Sequence, residues 1–184
     1  MSEMLEVIDR SGNVIGDPRK KSEIHQEGLW HRDVHVWITD GNWLQQQRAW
    51  NKSLLPGEWD ISVGGHVPVG ETSLDAALRE TEEELGLPFA PERLIAIGAL
   101  AADVAFGARR HRTYGENYVV VEPELRLEDL TLQASEVVDA RFYPLAALHQ
   151  DLQDPETAQR HAPLPIELWE LGINGIRHVI ESGA

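Results

Sequence analysis

Residues 65–87 read GHVPVGETSLDAALRETEEELGL, from Gly65 to Leu87, and this stretch decides how the rest of the chain is read. Thr72 and Asp75 have the spacing of a capping pair, and Gly86 is a good C-terminal stop, so a helix is predicted over Ser73–Leu85. Leu74, Ala77, Leu78, Thr81 and Leu85 recur at helical spacing and give it an apolar stripe. At about 100° per residue, Glu80, Glu83 and Glu84 fall within an arc of roughly 100° beside that stripe. Three carboxylates that close repel one another. Binding a divalent cation makes the arrangement tolerable, and the hard oxygen donors suit Mg²⁺ or Mn²⁺. A solvated acidic face accounts for Glu82, but not for Arg79, Glu71 and two glycines placed around the cluster.

Strands flank the helix on both sides. Leu5–Asp9 is short and alternating. Val34–Thr39 and Trp43–Gln47 form a hairpin about Asp40-Gly41-Asn42, and Trp59–Val63 is a further short strand. Leu94–Ala102 and Tyr118–Val121 are strands joined through a basic loop, Gly107–Arg112. Val137–Tyr143 is a strand, Leu145–Leu152 a short helix, Pro155–Pro165 an irregular connector and Ile166–Glu181 a C-terminal helix. Trp169, Ile173, Ile176 and Ile180 give that helix one apolar face, for the core or for a second subunit. This mixture suggests an α/β fold with a mixed sheet, arranged as a sandwich, in one domain over residues 1–184.

Composition narrows the class. With 16 Lys+Arg against 31 Asp+Glu the net charge is −15, which argues against a nucleic-acid polymer or an anionic membrane as the main partner. The chain has no cysteine, which removes thiolate metal sites and every thiol-nucleophile mechanism. No signal-like segment and no long apolar run is present, so a cytoplasmic protein is expected.

The stretch resembles the signature of the Nudix (MutT-like) hydrolases, G-x5-E-x7-R-E-U-x-E-E-x-G-U with U a bulky aliphatic residue. Gly65, Glu71, Arg79, Glu80, Glu83, Glu84, Gly86 and Leu87 match, and Thr81 stands where an aliphatic residue is expected. The resemblance implies an α/β/α sandwich and a Mg²⁺- or Mn²⁺-dependent hydrolase that splits the diphosphate of a small molecule. It implies Glu80, Glu83 and Glu84 as metal ligands, Arg79 as an orienting residue paired with Glu71, and Gly65 as a point of close approach. The general base is left between Glu84 and Glu136.

Outside this box the chain resembles the isopentenyl-diphosphate-isomerase-like branch of the same superfamily. The resemblance is carried by Gly28-Leu29-Trp30-His31-Arg32, Val34-His35-Val36-Trp37, and Gln47–Lys52 running into Pro56-Gly57-Glu58-Trp59-Asp60. It implies diphosphate contacts at Arg48, Lys52 and Lys21. It also implies a second Mn²⁺ or Zn²⁺ site from His25, His35, His66 and Glu116. The isomerase cysteine falls where this chain has Gly64, and the glutamate box is intact, so hydrolysis is expected over isomerisation. An isomerase using another acid, or a non-catalytic phosphate-ligand sensor, are the rival readings. Arg109, Arg110, His111 and Arg112 are read either as a phosphate clamp or as a solvated hairpin tip. Trp30, Trp50 and Trp59 are read as core residues or as base-stacking platforms. Substrate identity and the choice between monomer and homodimer stay open.

Overall fold

The computed structural model describes residues 3–107 and 109–183. In chain order the strands are β1 (Met4–Leu5), β2 (Arg19–Lys20), β3 (Trp30–Thr39), β4 (Trp43–Arg48), β5 (Trp59–Asp60), β6 (Val63–His66), β7 (Ile95–Phe106), β8 (Arg109–Val121) and β9 (Val137–Tyr143). The helices are α1 (Lys21–Glu27), α2 (Ser73–Leu85), α3 (Leu145–Gln153), α4 (Pro155–Ala158) and α5 (Ile166–Ser182).

Seven strands form the central sheet in the order β5-β4-β3-β8-β7, with β6 also on β3 and β9 also on β4. The β3–β8 pair is parallel, and the other pairings in this sheet are antiparallel. The sheet is therefore mixed, as expected. One edge of β3 is shared: Thr39 pairs with Trp43 of β4, whereas Asp33–Val36 pair with Val63–His66 of β6. The sheet splits where the partner changes, and the candidate site lies in that split.

Strand alternation divides the core into two layers. Val34, Val36 and Ile38 face α2 and pack with Val63, Ala76, Ala77 and Leu85. Trp37, Trp43 and Val119 lie in a second cluster with Trp169, Ile173 and Ile176 of α5 and Leu148 of α3. Gly172 is what lets α5 lie this close, since a Cβ there would stand 2.4 Å from the Trp37 ring. Ile180, the last residue of the expected apolar face, is 44% exposed; the other three pack on the core.

Helix α2 runs over the residues expected, closed by a reciprocal capping box between Thr72 and Asp75 and by Gly86 in the left-handed region at φ 72°. Thr81 is buried, and its hydroxyl donates to the Ala77 carbonyl at 2.7 Å, so the atypical residue leaves no polar atom unsatisfied.

Three local expectations are corrected, and one helix is added to the expected elements. Gly107–Arg112 is not a loop: Gly107 makes the turn at φ 61°, and Arg109–Arg112 continue β8 in register with Asp103–Phe106. Trp59–Val63 is two strands, β5 and β6. The stretch holding His25 forms α1, which buries only Ile24 and so shows no apolar periodicity. The connector after α3 contains the short α4, started by Asp154 capping Glu156 N.

Candidate active site

A cleft of about 500 Å³ opens at the split in the sheet, lined on one side by Arg79, Glu80, Glu83 and Glu84 of α2. Helix and strand meet closely at Gly65. A Cβ there would stand 2.3 Å from Glu80 Cδ, so only glycine leaves room for that carboxylate. Arg79 ties the cluster together. Its Nε donates to both Glu71 oxygens at 3.2 Å, and one terminal nitrogen donates to Glu80 at 2.9 Å and to Glu83 at 3.3 Å. The other reaches the His66 carbonyl at 3.4 Å. These carboxylates raise its pKa against the opposing effect of burial. The pairing of Arg79 with Glu71 is the one expected.

Glu84 is 5% exposed. Burial, reinforced by the charges of Glu80 and Glu136, pushes its carboxyl up to about 8, against the opposing pull of Arg48 and the Gln46 hydrogen bond. Gln46 Nε2 donates to Glu84 Oε2 at 3.2 Å. Glu80 is also raised, by burial. Glu83, by contrast, has a half-exposed side chain. Glu136 lines the same cleft and is ion-paired to Lys52.

The expected phosphate-contacting cations are engaged with carboxylates. Arg48 lies 3.1 Å from Asp60, Lys52 pairs with Glu136, and Lys21 pairs with Glu3 at 2.8 Å. All three line the cleft. Arg110 and Arg112 do not: alternation on β8 turns them to the other face, where both bind Asp103, at 2.7 and 3.3 Å. Arg109 is exposed at the start of the same strand and is not among the cleft-lining residues. His111, between them in the sequence, faces the cleft. Trp50 is 70% exposed, with its ring over Gly57; Trp30 and Trp59 are half-buried.

The histidines gather differently from the expected set. His25 Nε2 lies 3.0 Å from His66 Nε2, and His31 rather than His35 completes a group whose ligand atoms all fall within 4.8 Å of one another. His31, Asp33 and His111 form an adjoining group of the same kind. Register explains this: β6 places His66 opposite Asp33, next to His31 on that face of β3, and places Gly64 opposite His35. Glu116 does not join them. It sits opposite Val34 on the α2-facing side of the sheet, 3.8 Å from Arg32 and accepting from Tyr118 at 3.3 Å. Burial lowers the pKa of His25 to about 4 and lowers those of His31 and His66 as well. Burial alone would raise Asp33, but His66, His111 and His31 outweigh it and hold its carboxyl well below the usual range.

Gln46, His31 and Asp33 are not singled out as site residues by the sequence, and His111 is read there only with the arginines of a possible phosphate clamp. The signals are faint: three consecutive glutamines after Trp43 and Leu44 in one strand, and polar side chains at His31, Asp33 and His35 at every second position.

The NUDIX domain family model matches residues 29–165. The chain belongs to the Nudix family. Nudix hydrolase 3 of Arabidopsis thaliana is 35% identical over 148 residues, which are 77% of this chain and 19% of that protein. An isopentenyl-diphosphate Delta-isomerase of Serratia proteamaculans is 43% identical over 88 residues, 47% of this chain and 49% of the isomerase. The match thus spans less than two thirds of either relative. Among solved structures, a Deinococcus radiodurans protein aligns with a TM-score of 0.64 at 20% identity, over 94% of this chain and 98% of that one. This Nudix chain therefore has relatives named as hydrolases and as isomerases, and it lacks cysteine altogether. Among its described residues, no helix is long and apolar enough to cross a membrane.

Proposed function

We propose that this Nudix chain hydrolyses the diphosphate linkage of a small organic or nucleoside diphosphate derivative, with Glu80, Glu83 and Glu84 holding a Mg²⁺ or Mn²⁺ ion. The observation that carries the reading is Glu84, a buried carboxyl raised to about 8 by burial and by neighbouring Glu80 and Glu136. A site that penalises its own ionised carboxylates is one that a divalent cation satisfies, and the all-oxygen donor set fits these two ions. When bound, such an ion neutralises phosphate oxygens and makes a water more acidic.

The chain's own groups supply the rest. Arg79 fixes Glu80 and Glu83 through its fork of donors, and Gln46 fixes Glu84. Glu84 and Glu136 both line the cleft and are the two carboxylates proposed to take a proton from the attacking water. Arg48 and Lys52 line the cleft, and a diphosphate entering it competes with Asp60 and Glu136 for them.

A second ion at His25, His31 and His66 belongs to the same reading. His31 Nε2 and Asp33 Oδ1 are buried without hydrogen-bond partners among the described residues and lie 3.6 Å apart, an arrangement that a Mn²⁺ or Zn²⁺ ion satisfies.

Isomerase chemistry is the rival, favoured by the relatives that carry that name. It lacks its thiol here, because Gly64 has no proton to give. A panel of diphosphates incubated with Mg²⁺ separates the two. Release of phosphate or a nucleotide is expected, whereas deuterium uptake into isopentenyl diphosphate without hydrolysis refutes the proposal.

A further inference from the structure

The central sheet ends on one side in β5, two residues long, and on the other in β7, twelve residues long. A short edge resists further pairing, whereas a long one presents a row of backbone groups to any strand that fits it. Among the described residues β7 pairs with β8 alone, and no backbone hydrogen bond joins it to a group outside that ladder. Its one charge is Asp103, which Arg110 and Arg112 offset from the neighbouring strand. Past the bulge between Ala96 and Gly98 the register is regular to Phe106, and Gly98, Ala99, Asp103 and Ala105 are exposed. The net charge of −15 makes most of the surface repel a second copy, yet residues 95–112 hold three arginines against one aspartate. Arg109 at the tip of this hairpin and Glu92 at its base are exposed, with no ion pair among the described residues; Arg93 at the base is engaged with Glu122 at 3.0 Å. A copy laid antiparallel along β7 brings the arginine tip of each chain to the Glu92 end of the other.

We infer that β7 is a dimerisation edge, on which a second copy of this chain pairs Gly98–Phe106 antiparallel with its own Gly98–Phe106. A twofold axis perpendicular to the sheet sets one residue of the strand against itself. Ala102 is the middle of the regular stretch and takes that place. On the α5 face Leu100 then meets the partner's Val104, and Phe106 lies opposite the partner's Gly98, where no side chain competes. On the other face Asp103 meets the partner's Ala101 and Ala99 meets the partner's Ala105, so the two aspartates do not oppose each other. One strand pair buries less than a standard interface, so the expected Kd is roughly 1–100 µM.

Sedimentation velocity of the full chain between about 1 and 200 µM, a range that spans that Kd, should move the mass from 20.6 kDa toward twice that value. The lack of cysteine makes the register readable, because a single introduced thiol can link only to its own copy. In A102C the two Cα atoms face each other across about 4.5–5.5 Å, a span that a disulfide bridges. In A105C the two thiols lie roughly 20 Å apart along the strands. Mild oxidation should therefore give a covalent dimer of A102C and leave A105C monomeric on a non-reducing gel. A wild-type chain that stays monomeric throughout the range, equal cross-linking of the two variants, or a dimer in which A102C does not link overturns the inference.

Discussion

Replacing Glu84 by glutamine keeps the shape and the acceptor for Gln46 Nε2 but removes the ability to ionise. In the folded protein the carboxyl is raised from 4.5 to about 8, chiefly by burial. At about 1.4 kcal/mol per pKa unit, that rise corresponds to a penalty of up to roughly 5 kcal/mol once the group is fully charged. The sign follows from linkage: a carboxyl raised on folding stabilises the fold below its unfolded pKa, and that contribution is lost as pH rises through the folded value. The cation-free wild type is thus expected to lose a few kcal/mol relative to Glu84→Gln between about pH 4.5 and pH 9. Urea unfolding in a chelator at both ends of that range measures it. The variant should be the more stable protein at pH 9 and no better at pH 4, while Mg²⁺ should stabilise the wild type and leave the variant unmoved. Turnover should fall by roughly 10² to 10⁴. A stability difference independent of pH would show that the site does not penalise the Glu84 charge, and the case for a cation there would go with it.

Gly65→Ala places a methyl 2.3 Å from Glu80 Cδ and is expected to lower kcat/KM by roughly tenfold or more, with the fold retained by circular dichroism. Full activity in that variant would remove Glu80 from the machinery. His66→Ala is expected to abolish a Mn²⁺- or Zn²⁺-dependent rise in melting temperature seen in the wild type and to drop one equivalent of bound ion by elemental analysis. Equal ion content in both proteins would rule out the histidine site. Gly172→Ala drives a methyl to 2.4 Å from the Trp37 ring and should cost about 1–3 kcal/mol by urea unfolding while sparing kcat.

The elements legible in the sequence were those whose signal is local. Helix α2 carries its cap, its stripe and its stop within 15 residues, Thr72 to Gly86, and β9 matches the expected Val137–Tyr143. Helix α1 was not legible because its seven residues bury Ile24 alone. The β7–β8 hairpin was underestimated because Arg109–Arg112 look like a solvated tip. Their pairing with Asp103–Phe106, and the ion pairs from Arg110 and Arg112 to Asp103, are contacts between strands. The same distinction governs the site. Glu80, Glu83, Glu84 and Arg79 share one helix, so spacing places them together. The histidines come from α1, β3, β6 and β8, and only the register of β6 on β3 puts His66 beside His31 and Gly64 across from His35. Glu116 was misplaced for the reason of alternation: a shift of one residue along β8 puts a side chain on the opposite face.

The most direct measurement is turnover of a diphosphate panel in heavy-oxygen water with Mg²⁺, with the products read by mass spectrometry. Attack of water on phosphorus puts one heavy oxygen into a phosphoryl group of one product and none onto carbon, and Glu84→Gln should suppress both the label and the turnover. Heavy oxygen bonded to carbon in the organic product, or conversion of the substrate with its diphosphate intact, would contradict the assignment of this cleft to phosphorus–oxygen bond hydrolysis.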